Sequence, residues 1–594
     1  MIAEDGPLNT QSQAQLWIRR MTVRSFRCVD ELSVEFEPGI TYLVGENNAG
    51  KSSILAALSV ALGASRGSVD DLARSSNGVV SERASIDLII APRGERFGDN
   101  ERQRLTGNVH TDPSDNTEFV GIRTVLTPSR EGGQLISARS FLQPGRHGIV
   151  ESRIEFTPAA LSLFECELLD ASRDLVAELG SKSSRWGRVL FDLHIPDPEP
   201  EVVDGVAVEP HPTSRKGLEK SLQSLAGQMR SASPVLQSLE DQLGRLAKVQ
   251  SSVSKVQLQP FPPQIEEVMR SIDILIGGIG GPALPLRFHG MGSRSLASLF
   301  VFSALCALRL GADSALVPHL LTLIEEPEAH LHPQAISGLR DELERLPGQR
   351  VVSTHSAHLI SEVQPSSIRV VKRDGPTMEV RKISTSTLAD TARFRRFVER
   401  PFGEMFFARL VIFGDGATER DSLPVLLSHA LGTPVAALGV TIVDCESMDH
   451  PQISKLVSAV TEIGVPWLVF GDNDESGAKA LAKITDPDTG KPLTATSNRV
   501  VIAGAKAMEQ LLLDADYGPE IIEIANENGE CLGADATKTV LLRFLKSNKG
   551  WVGEVVVKRA LKAGKPVPTC VAELARKAAL VLGVVSPEGK EAAV

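Results

Sequence analysis

A glycine-rich turn lies between a predicted strand and a predicted helix near the N-terminus. The strand is the apolar run 40–44, and positions 45–53 read Gly-Glu-Asn-Asn-Ala-Gly-Lys-Ser-Ser. In such a P-loop the backbone N–H groups close on phosphate oxygens, while the lysine reaches the β- and γ-phosphates and the first serine holds Mg²⁺. The residues expected to contact the nucleotide are Asn47, Asn48, Gly50, Lys51, Ser52 and Ser53. The motif predicts binding of ATP with one magnesium ion.

Two further apolar strands supply groups that a P-loop requires. The run 320–324 leads into Glu325, a candidate ligand of the nucleotide's Mg²⁺, and Glu326, a candidate general base for the attacking water. The run 350–354 ends at His355, which is either a sensor of the γ-phosphate or a core or capping histidine. Together the three strands predict a site that hydrolyses ATP.

Carboxylates follow apolar runs again in the C-terminal third of the chain. They are Asp415 and Glu419 after the first run, Asp472 and Asp474 after the second, and Glu509 after the third. Each one alone is explained as a helix cap or a solvated turn. Because the carboxyl ends of parallel strands meet at one edge of a sheet, the ordered set instead favours a metal site. Oxygen-only ligands suit Mg²⁺ or Mn²⁺, and two such ions promote phosphodiester cleavage.

Lysines and arginines recur between positions 538 and 577, where the only acidic residues are Glu554 and Glu573. This composition fits either a phosphate-binding surface or a solvated helix face. A lysine near the carboxylates would stabilise the charge of a pentacovalent phosphate. Lys549 and Lys562 are both candidates, and the sequence does not choose between them.

Composition limits the class of protein. A net charge of −11 argues against a uniformly basic nucleic-acid coat, although it leaves room for a local basic groove. The six cysteines form no Cys-x-x-Cys pair, which fits a reducing compartment and removes a zinc ribbon. The polar N-terminus predicts no signal peptide, and the apolar stretch 296–308 is too short to span a membrane. We therefore expect a soluble, cytoplasmic protein without a membrane partner.

The first group of motifs resembles the head of an ATP-binding-cassette (ABC) ATPase. The segment 290–296 opens an apolar helix between the P-loop and the acidic strand, and its N-terminus offers backbone donors and an arginine to an anion. The alternative is an ordinary capped helix start. The resemblance implies that Glu325 binds the metal, Glu326 orients the water and His355 is the switch histidine. It also implies that Gly292 and Ser293, with Arg294, complete the nucleotide site of a second subunit. Many ABC proteins have aspartate where this chain has Glu325.

The later carboxylates resemble those of a Toprim domain, which has an acidic-Gly turn after one strand and Asp-x-Asp after a later one. The first acid is usually glutamate, and Asp415 replaces it here, which leaves open whether Asp415 is a ligand or a base. A topoisomerase requires a nucleophilic tyrosine in a separate domain. The chain has only Tyr42, in the strand before the P-loop, and Tyr517, inside the Toprim block. A primase would usually carry a zinc ribbon, so a nuclease remains.

An ABC-type ATPase followed by a Toprim domain resembles the overcoming-lysogenization-defect (OLD) family of nucleases, from about residue 16 to residue 580. The resemblance implies a homodimer that binds ATP at its heads. It also implies metal-dependent nicking or cutting of DNA, with two Mg²⁺ or Mn²⁺ ions in the Toprim site. Members of the family are associated with anti-phage defence, and some act with a helicase encoded alongside.

The expected fold is α/β and multidomain, with a helical dimerisation insert in the ATPase head and a Rossmann-like Toprim domain that ends in a helical region. The predicted divisions are 1–165 and 256–385 for the two ATPase parts, 166–255 for the insert, 400–535 for the Toprim nuclease domain and 536–594 for the basic helical region. Within the insert, leucines recur at spacings of three and four from Leu218 to Leu246, and Pro234 favours a helical pair. A plain amphipathic core helix is the alternative to a dimerisation element.

Three functions are consistent with the sequence. The first is an ATP-binding, metal-dependent DNA endonuclease. The second is an ABC- or SMC-type DNA-repair ATPase with a non-catalytic Toprim scaffold, and the aspartate at position 415 supports it. The third is a non-enzymatic scaffold gated by nucleotide. Metal-dependent cleavage of a plasmid would indicate the endonuclease. ATP turnover without cleavage would indicate the repair ATPase, and ATP binding without turnover would indicate the scaffold.

Overall fold

The computed structural model describes residues 16–74, 77–129, 133–145, 148–170, 202–203, 206–207, 215–233, 275–277, 283–310, 318–361, 363–375, 377–383, 401–445 and 453–584. The chain divides into two compact units. The larger comprises Met1–Ala171, Asp313–Glu328 and His332–Val594, and the smaller comprises Ser172–Ala312 and Ala329–Leu331.

Strands and helices are numbered in chain order. The strands are β1 Leu16–Phe26, β2 Val29–Glu35, β3 Ile40–Val44, β4 Ala84–Pro92, β5 His110–Thr111, β6 Glu118–Pro128, β7 Leu135–Gly145, β8 Gly148–Glu155, β9 Phe164–Leu169, β10 Val202–Val203, β11 Val206–Ala207, β12 Leu275–Gly277, β13 Ala283–Pro285, β14 His319–Glu325, β15 Gln349–Thr354, β16 Ile368–Asp374, β17 Thr377–Arg381, β18 Leu410–Gly414, β19 Val440–Asp444, β20 Trp467–Gly471 and β21 Val500–Ile502. The helices are α1 Lys51–Ala61, α2 Asp99–Arg104, α3 Pro158–Leu161, α4 Arg215–Ala232, α5 Met291–Leu310, α6 Pro333–Arg345, α7 Ala357–Ile360, α8 Pro401–Met405, α9 Ala417–Leu431, α10 Ile453–Glu462, α11 Glu475–Leu481, α12 Met508–Asp514, α13 Gly518–Glu527, α14 Lys538–Ser547, α15 Val552–Lys562 and α16 Thr569–Leu582. Short 3-10 helices cover Val69–Asp71, Leu286–Phe288 and Pro365–Ser367.

Two sheets form the N-terminal part of the larger unit. One is antiparallel with the order β2-β1-β4-β6-β7-β8, and β5 pairs with β6. The other has the order β17-β16-β3-β15-β14-β9, and all of its pairs are parallel except β16 with β17. Side chains of both sheets and of α1 share one hydrophobic core. Parallel strands covered on both faces read as continuous apolar runs, as β14 does, and their carboxyl ends place the P-loop beside the acidic turn.

A separate parallel sheet organises the C-terminal part of the same unit. Its order is β19-β18-β20-β21, and every pair is parallel. Helices α9 and α12–α16 cover it and supply most of its hydrophobic core. The carboxyl ends of β18 and β20 are therefore adjacent, which is where the predicted carboxylates begin. The predicted α/β multidomain fold is confirmed.

The smaller unit contains α4, α5 and the short hairpins β10-β11 and β12-β13. The first half of the predicted helical pair is present as α4, which carries Leu218 and Leu225. The predicted second half, up to Leu246, and Pro234 lie outside the described residues. Gly292 and Ser293 form the first turn of α5 with Arg294, and a Cβ at Gly292 would lie 2.6 Å from the His330 carbonyl oxygen. Within the described ranges, no helix has the length and apolar character needed to cross a membrane.

Candidate functional site

The P-loop connects β3 to α1 in the geometry that its glycines permit. Gly50 precedes α1 with φ of 104°, a conformation that side chains with a Cβ rarely adopt. A Cβ there would also lie 2.6 Å from the Met378 side chain. Asn48 has φ of 63° in the same loop. The backbone N–H groups at the start of α1 are therefore held in the turn that binds phosphate in P-loop proteins.

Lys51 folds back over this loop. Its Nζ donates to the carbonyl oxygens of Gly45 and Glu46, both at 2.9 Å, and the side chain is buried. Burial lowers the pKa of Lys51 to about 8, although Glu326 and other nearby glutamates oppose the change. Phosphate oxygens beside this ammonium would favour its charged form and replace the two carbonyl acceptors. The lysine is thus placed for a polyphosphate ligand.

The two predicted acids at the end of β14 contact two different partners. Glu325 accepts a hydrogen bond from the Ser52 hydroxyl, which joins the two expected ligands of the nucleotide's metal. Glu326 has φ of 42°, and one of its carboxylate oxygens lies 3.1 Å from His355 Nε2. Burial, assisted by the charge of Lys51, lowers the pKa of His355. The structure therefore brings together the proposed base and the proposed sensor.

Glu328 is a residue of this site that our sequence analysis missed. One of its oxygens accepts hydrogen bonds from Thr354 Oγ1 at 2.6 Å, from His355 N at 2.9 Å and from Ser356 N at 3.1 Å. Its other oxygen is buried without a hydrogen-bond partner in the part of the chain that the structure describes. Glu328 fixes the backbone that carries His355. The second glutamate of the Glu-Pro-Glu turn was the only sequence signal for it.

The segment after His355 packs against the beginning of the C-terminal part. Helix α7 starts two residues after His355, and a Cβ at Gly403 of α8 would clash with the Ala357 carbonyl oxygen. Lys372 Nζ also donates to the Gly464 carbonyl oxygen at 2.7 Å. A cavity of about 690 Å³ lies between the P-loop residues 45–49 and residues 406–409. The ATPase elements and the Toprim-like sheet are thus in direct contact within the larger unit.

Acidic side chains cluster at the carboxyl edge of the C-terminal sheet. Asp415 follows β18, Glu419 lies on α9, Asp472 follows β20, and Glu509 lies on α12. Burial, together with Asp472, Glu509 and Asp415, raises the pKa of Glu419 to about 8. Burial and the charges of Asp415, Asp474 and Glu509 raise the pKa of Asp472 to about 7. Such mutual shifts mean that these carboxylates lie close enough to repel one another.

This cluster has the donor chemistry of a divalent-cation site. Asp472 Oδ1 is buried and has no hydrogen-bond partner among the described residues, an arrangement that is costly unless a cation compensates it. Among the described residues, no group of three or more acidic, histidine or cysteine side chains is close enough together to bind a metal ion as it stands. The oxygens fit Mg²⁺ or Mn²⁺ by type and charge. Asp474 uses one oxygen to cap α11, accepting from Gly477 N at 2.7 Å.

Of the two candidate lysines, the structure brings only Lys549 to the acidic cluster. Its Nζ lies 3.0 Å from Glu509 Oε1, which also accepts a hydrogen bond from Thr418 Oγ1 at 2.8 Å. Burial would lower the pKa of Lys549, but the Glu509 hydrogen bond and nearby carboxylates outweigh burial and raise it. Lys562 is exposed at the other end of α15. An 11-residue helix is about 16 Å long, so the two lysines are far apart.

The basic C-terminal region is more neutralised than its sequence indicates. Most of its cations pair with acidic residues, several of which lie outside the basic stretch itself. The pairs are Lys538 with Asp514, Lys558 with Glu554, Arg559 with Glu523 and Glu527, Lys565 with Asp516, and Lys577 with Glu573. Arg543 and Lys546 are exposed on α14, the helix that ends two residues before Lys549. Lys562 and Arg576 are also exposed without an ion pair among the described residues, so the positive charge left for an external anion lies at several places in this region.

Neither tyrosine is placed to act as a nucleophile. Tyr42 is buried within β3, and burial raises the pKa of its hydroxyl. Tyr517 is also buried, and its hydroxyl donates to the Pro566 carbonyl oxygen at 2.8 Å. Burial raises the pKa of Tyr517 to about 12. These environments agree with the sequence argument against a topoisomerase.

Replacing Glu419 with glutamine is expected to stabilise the metal-free protein. With a pKa of about 8 in the fold and an ordinary value of 4.5, this carboxyl loses its proton on unfolding at neutral pH. The raised pKa lowers the free energy of unfolding. This destabilisation is absent below the ordinary pKa, grows as the pH rises and is complete above the pKa in the fold. At pH 7 it amounts to about 3 kcal/mol. Urea unfolding without metal at pH 5 and pH 8 should show a gain that grows with pH, and a gain independent of pH would contradict this account.

Three family models match separate parts of the chain. Residues 20–127 match the family model described as an AAA domain, and residues 211–360 match an AAA ATPase domain. Residues 406–474 match the model "Overcoming lysogenization defect protein-like, TOPRIM domain". The last range includes Asp415, Glu419 and the Asp-x-Asp segment at Asp472 and Asp474. The predicted combination of an ATPase with an OLD-type Toprim domain is confirmed.

Relatives span most of the chain. The uncharacterized protein YbjD of Escherichia coli K12 is 26% identical over 491 residues, which cover 79% of this chain and 81% of that protein. The OLD nuclease of Thermus scotoductus is 24% identical over 492 residues, covering 77% of this chain and 82% of that protein. The solved C-terminal region of the Burkholderia pseudomallei OLD protein is 20% identical, covers 29% of this chain and 98% of that chain, and gives a TM-score of 0.23. The chain therefore has AAA-type ATPase domains followed by an OLD-like Toprim domain, and it is similar to proteins named OLD nuclease.

Proposed function

We propose that this chain is an ATP-binding, divalent-metal-dependent DNA endonuclease whose cutting site is the acidic cluster of the Toprim domain. The observation that carries the proposal is the contact of Lys549 with Glu509 beside Glu419 and Asp472. A buried group of repelling carboxylates with an adjacent lysine suits a metal-bound phosphate. The name of the Thermus relative supports nuclease activity.

Each residue of the cutting site has a proposed role. Asp415, Glu419, Asp472, Asp474 and Glu509 would hold two Mg²⁺ or Mn²⁺ ions. When bound, such ions lower the pKa of a water molecule and stabilise the leaving oxygen in phosphodiester cleavage. Lys549 would bind a non-bridging oxygen and stabilise the extra negative charge of the pentacovalent phosphate. Glu509 and Thr418 orient Lys549 through the shared carboxylate oxygen.

The ATPase site is proposed to control the cutting site. Lys51 would bind the β- and γ-phosphates, Ser52 and Glu325 would hold the nucleotide's Mg²⁺, and Glu326 would orient the attacking water. Helix α7 follows His355 and packs on Gly403 of α8, and the chain runs from α8 into β18, which ends next to Asp415. A homodimer, in which Gly292, Ser293 and Arg294 of one subunit complete the other's site, belongs to the same proposal.

The biological setting is proposed from the family. A role in anti-phage defence or DNA processing fits a DNA endonuclease under nucleotide control. A cytoplasmic location fits the six free cysteines, of which Cys166, Cys306 and Cys445 are buried.

The two candidate lysines provide a matched test of the cutting site. Lys549→Ala is expected to lower the rate of metal-dependent DNA cleavage about 100-fold or more, because it removes the cation beside the acidic cluster. Lys562→Ala changes the same residue type in the same region and should stay within about threefold of the wild type. Initial rates of plasmid nicking at saturating Mg²⁺ measure both. Equal losses in the two variants would contradict the assignment of Lys549.

A further inference from the structure

A tryptophan follows Lys549 by two residues and is open to solvent. Trp551 retains 37% of its surface, whereas Trp467 in β20 is buried at 1%. Tryptophan has the largest apolar surface of any side chain, and the part of this indole that remains in solvent can stack on a planar partner. The residue has no assigned part in the proposed chemistry, which ends at Lys549.

The segment that carries Trp551 is anchored on both sides beside the acidic cluster. On the N-terminal side, Lys549 Nζ binds Glu509 Oε1. On the C-terminal side, a Cβ at Gly553 would lie 2.5 Å from Ser422 Oγ, so the start of α15 packs directly on α9, the helix that carries Glu419. Because consecutive Cα atoms are about 3.8 Å apart, the Cα of Trp551 lies within about 8 Å of both anchors. The backbone of Trp551 is therefore held between two segments that contact the proposed cutting site.

The segment that leads to Trp551 carries positive charge suited to an anionic polymer. Arg543 and Lys546 are exposed on the segment that leads to Lys549, and neither forms an ion pair within the described part of the chain. Farther along the chain Arg559 and Lys565 are paired with acidic residues, whereas Lys562 and Arg576 are exposed without an ion pair among the described residues. Exposed cations interleaved with an aromatic ring form the combination that binds single-stranded nucleic acid through its backbone and its bases.

We propose that Trp551 stacks on an unpaired base next to the phosphate that the acidic cluster cuts. The inference rests on the proposed nuclease function and adds a substrate class to it, namely DNA with single-stranded, gapped or frayed nucleotides. Every base presents a π-face to an indole, so this contact requires no particular sequence. In continuous duplex DNA each base is already stacked on its neighbours, and exposing one costs a few kcal/mol. The site therefore favours an unpaired nucleotide over intact duplex.

The test compares full-length Trp551→Ala and Trp551→Phe with the wild type in EDTA, so that no DNA is cut. The probes are a single-stranded oligonucleotide that contains 2-aminopurine and the same sequence as a duplex, followed by fluorescence quenching and anisotropy. Trp551→Ala should weaken single-strand binding about 10-fold or more and abolish the stacking-induced quenching. Trp551→Phe keeps an aromatic face and should remain within about threefold of the wild type. Leu580→Ala, at a position that is 84% exposed on α16, is the matched surface control.

Three results would overturn the inference. The first is that Trp551→Ala binds the single strand with unchanged affinity and quenching. The second is that it weakens duplex binding as much as single-strand binding, which would indicate that the indole contacts the DNA backbone. The third is a change in particle mass by light scattering with unchanged DNA binding, which would make Trp551 a contact between copies of this chain.

The nuclease proposal and the stacking proposal fail separately. A wild type that shows Trp551-dependent quenching but never cuts DNA refutes the nuclease proposal alone. A wild type that cuts DNA while Trp551→Ala behaves identically refutes only the stacking.

Discussion

Asp472→Asn is expected to reduce metal-dependent nicking of plasmid DNA by at least about 100-fold. The asparagine preserves the size and shape of the side chain but removes the charge that a cation at this site requires. Asp472 follows β20 directly, and its buried Oδ1 has no partner among the described residues. Initial nicking rates with Mg²⁺ and with Mn²⁺ measure the loss. Nicking at the wild-type rate with both metals would remove Asp472 from the site.

The control for this substitution is Asp514→Asn. Asp514 lies at the end of α12, the helix that also carries Glu509, and its side chain is 45% exposed where it pairs with Lys538. The change removes the same charge from a surface pair of small energetic value, so cleavage should stay within about twofold of the wild type. Because Asp472→Asn also relieves repulsion among the carboxylates, the variant should unfold at or above the wild-type temperature without metal. Loss of cleavage together with retained thermal stability separates chemistry from folding.

Glu326→Gln is expected to lower ATP turnover about 100-fold while ATP binding is retained. Glutamine keeps the backbone hydrogen bond from residue 326 to the Ser353 carbonyl oxygen, and it can still contact His355. It cannot accept a proton from the attacking water. Phosphate release gives the turnover, and a fluorescent ATP analogue gives the affinity. Turnover that survives in the variant would assign the base elsewhere in the site.

Asp341→Asn is the matched surface control for Glu326→Gln, since Asp341 lies on α6 with 53% of its side chain exposed.

The effect of Glu326→Gln on DNA cleavage shows whether the ATPase site controls cleavage or takes part in it. If the ATPase site controls the Toprim site, the variant should alter the effect of ATP on cleavage and leave cleavage without ATP unchanged. A variant that loses cleavage equally with and without ATP would contradict this division of roles.

The sequence was most informative where one motif determines one geometry. A strand that enters a glycine-rich turn and then a helix has few arrangements, so the contact of Ser52 with Glu325 followed from the two motifs together. Parallel strand order likewise predicted that Asp415 and Asp472 would meet at one edge. Such arrangements can be predicted because the segments concerned follow the carboxyl ends of buried parallel strands.

Residues whose roles depend on helix direction and on distant partners were harder to predict. Lys549 and Lys562 look equivalent in sequence, and only the packing of α15 against α9 brings the first of them to the cluster. The pairing of Arg559 with Glu527 and of Lys565 with Asp516 was not visible from local composition either. These contacts join residues far apart in the chain, for which a single sequence carries no signal.

Glu328 illustrates a different limit. Its three hydrogen bonds reach the end of β15 and the turn after it, 26 to 28 positions along the chain, which local patterning does not describe. Gly403 is similar, since its close approach to Ala357 depends on how α8 packs on α7. In both cases the residue type is common in sequences, and its role is seen only from the residues that it contacts in the fold.

The most direct test of the account is a supercoiled-plasmid assay with the wild-type protein in Mg²⁺ and in Mn²⁺, each with and without ATP. The account predicts nicked or linear product only when divalent metal is present, and a rate that changes when ATP is added. EDTA should abolish the product, and Asp472→Asn should match the EDTA result. No product with any divalent metal, alongside ATP turnover that DNA stimulates, would contradict the account and favour a repair ATPase with a non-catalytic Toprim scaffold.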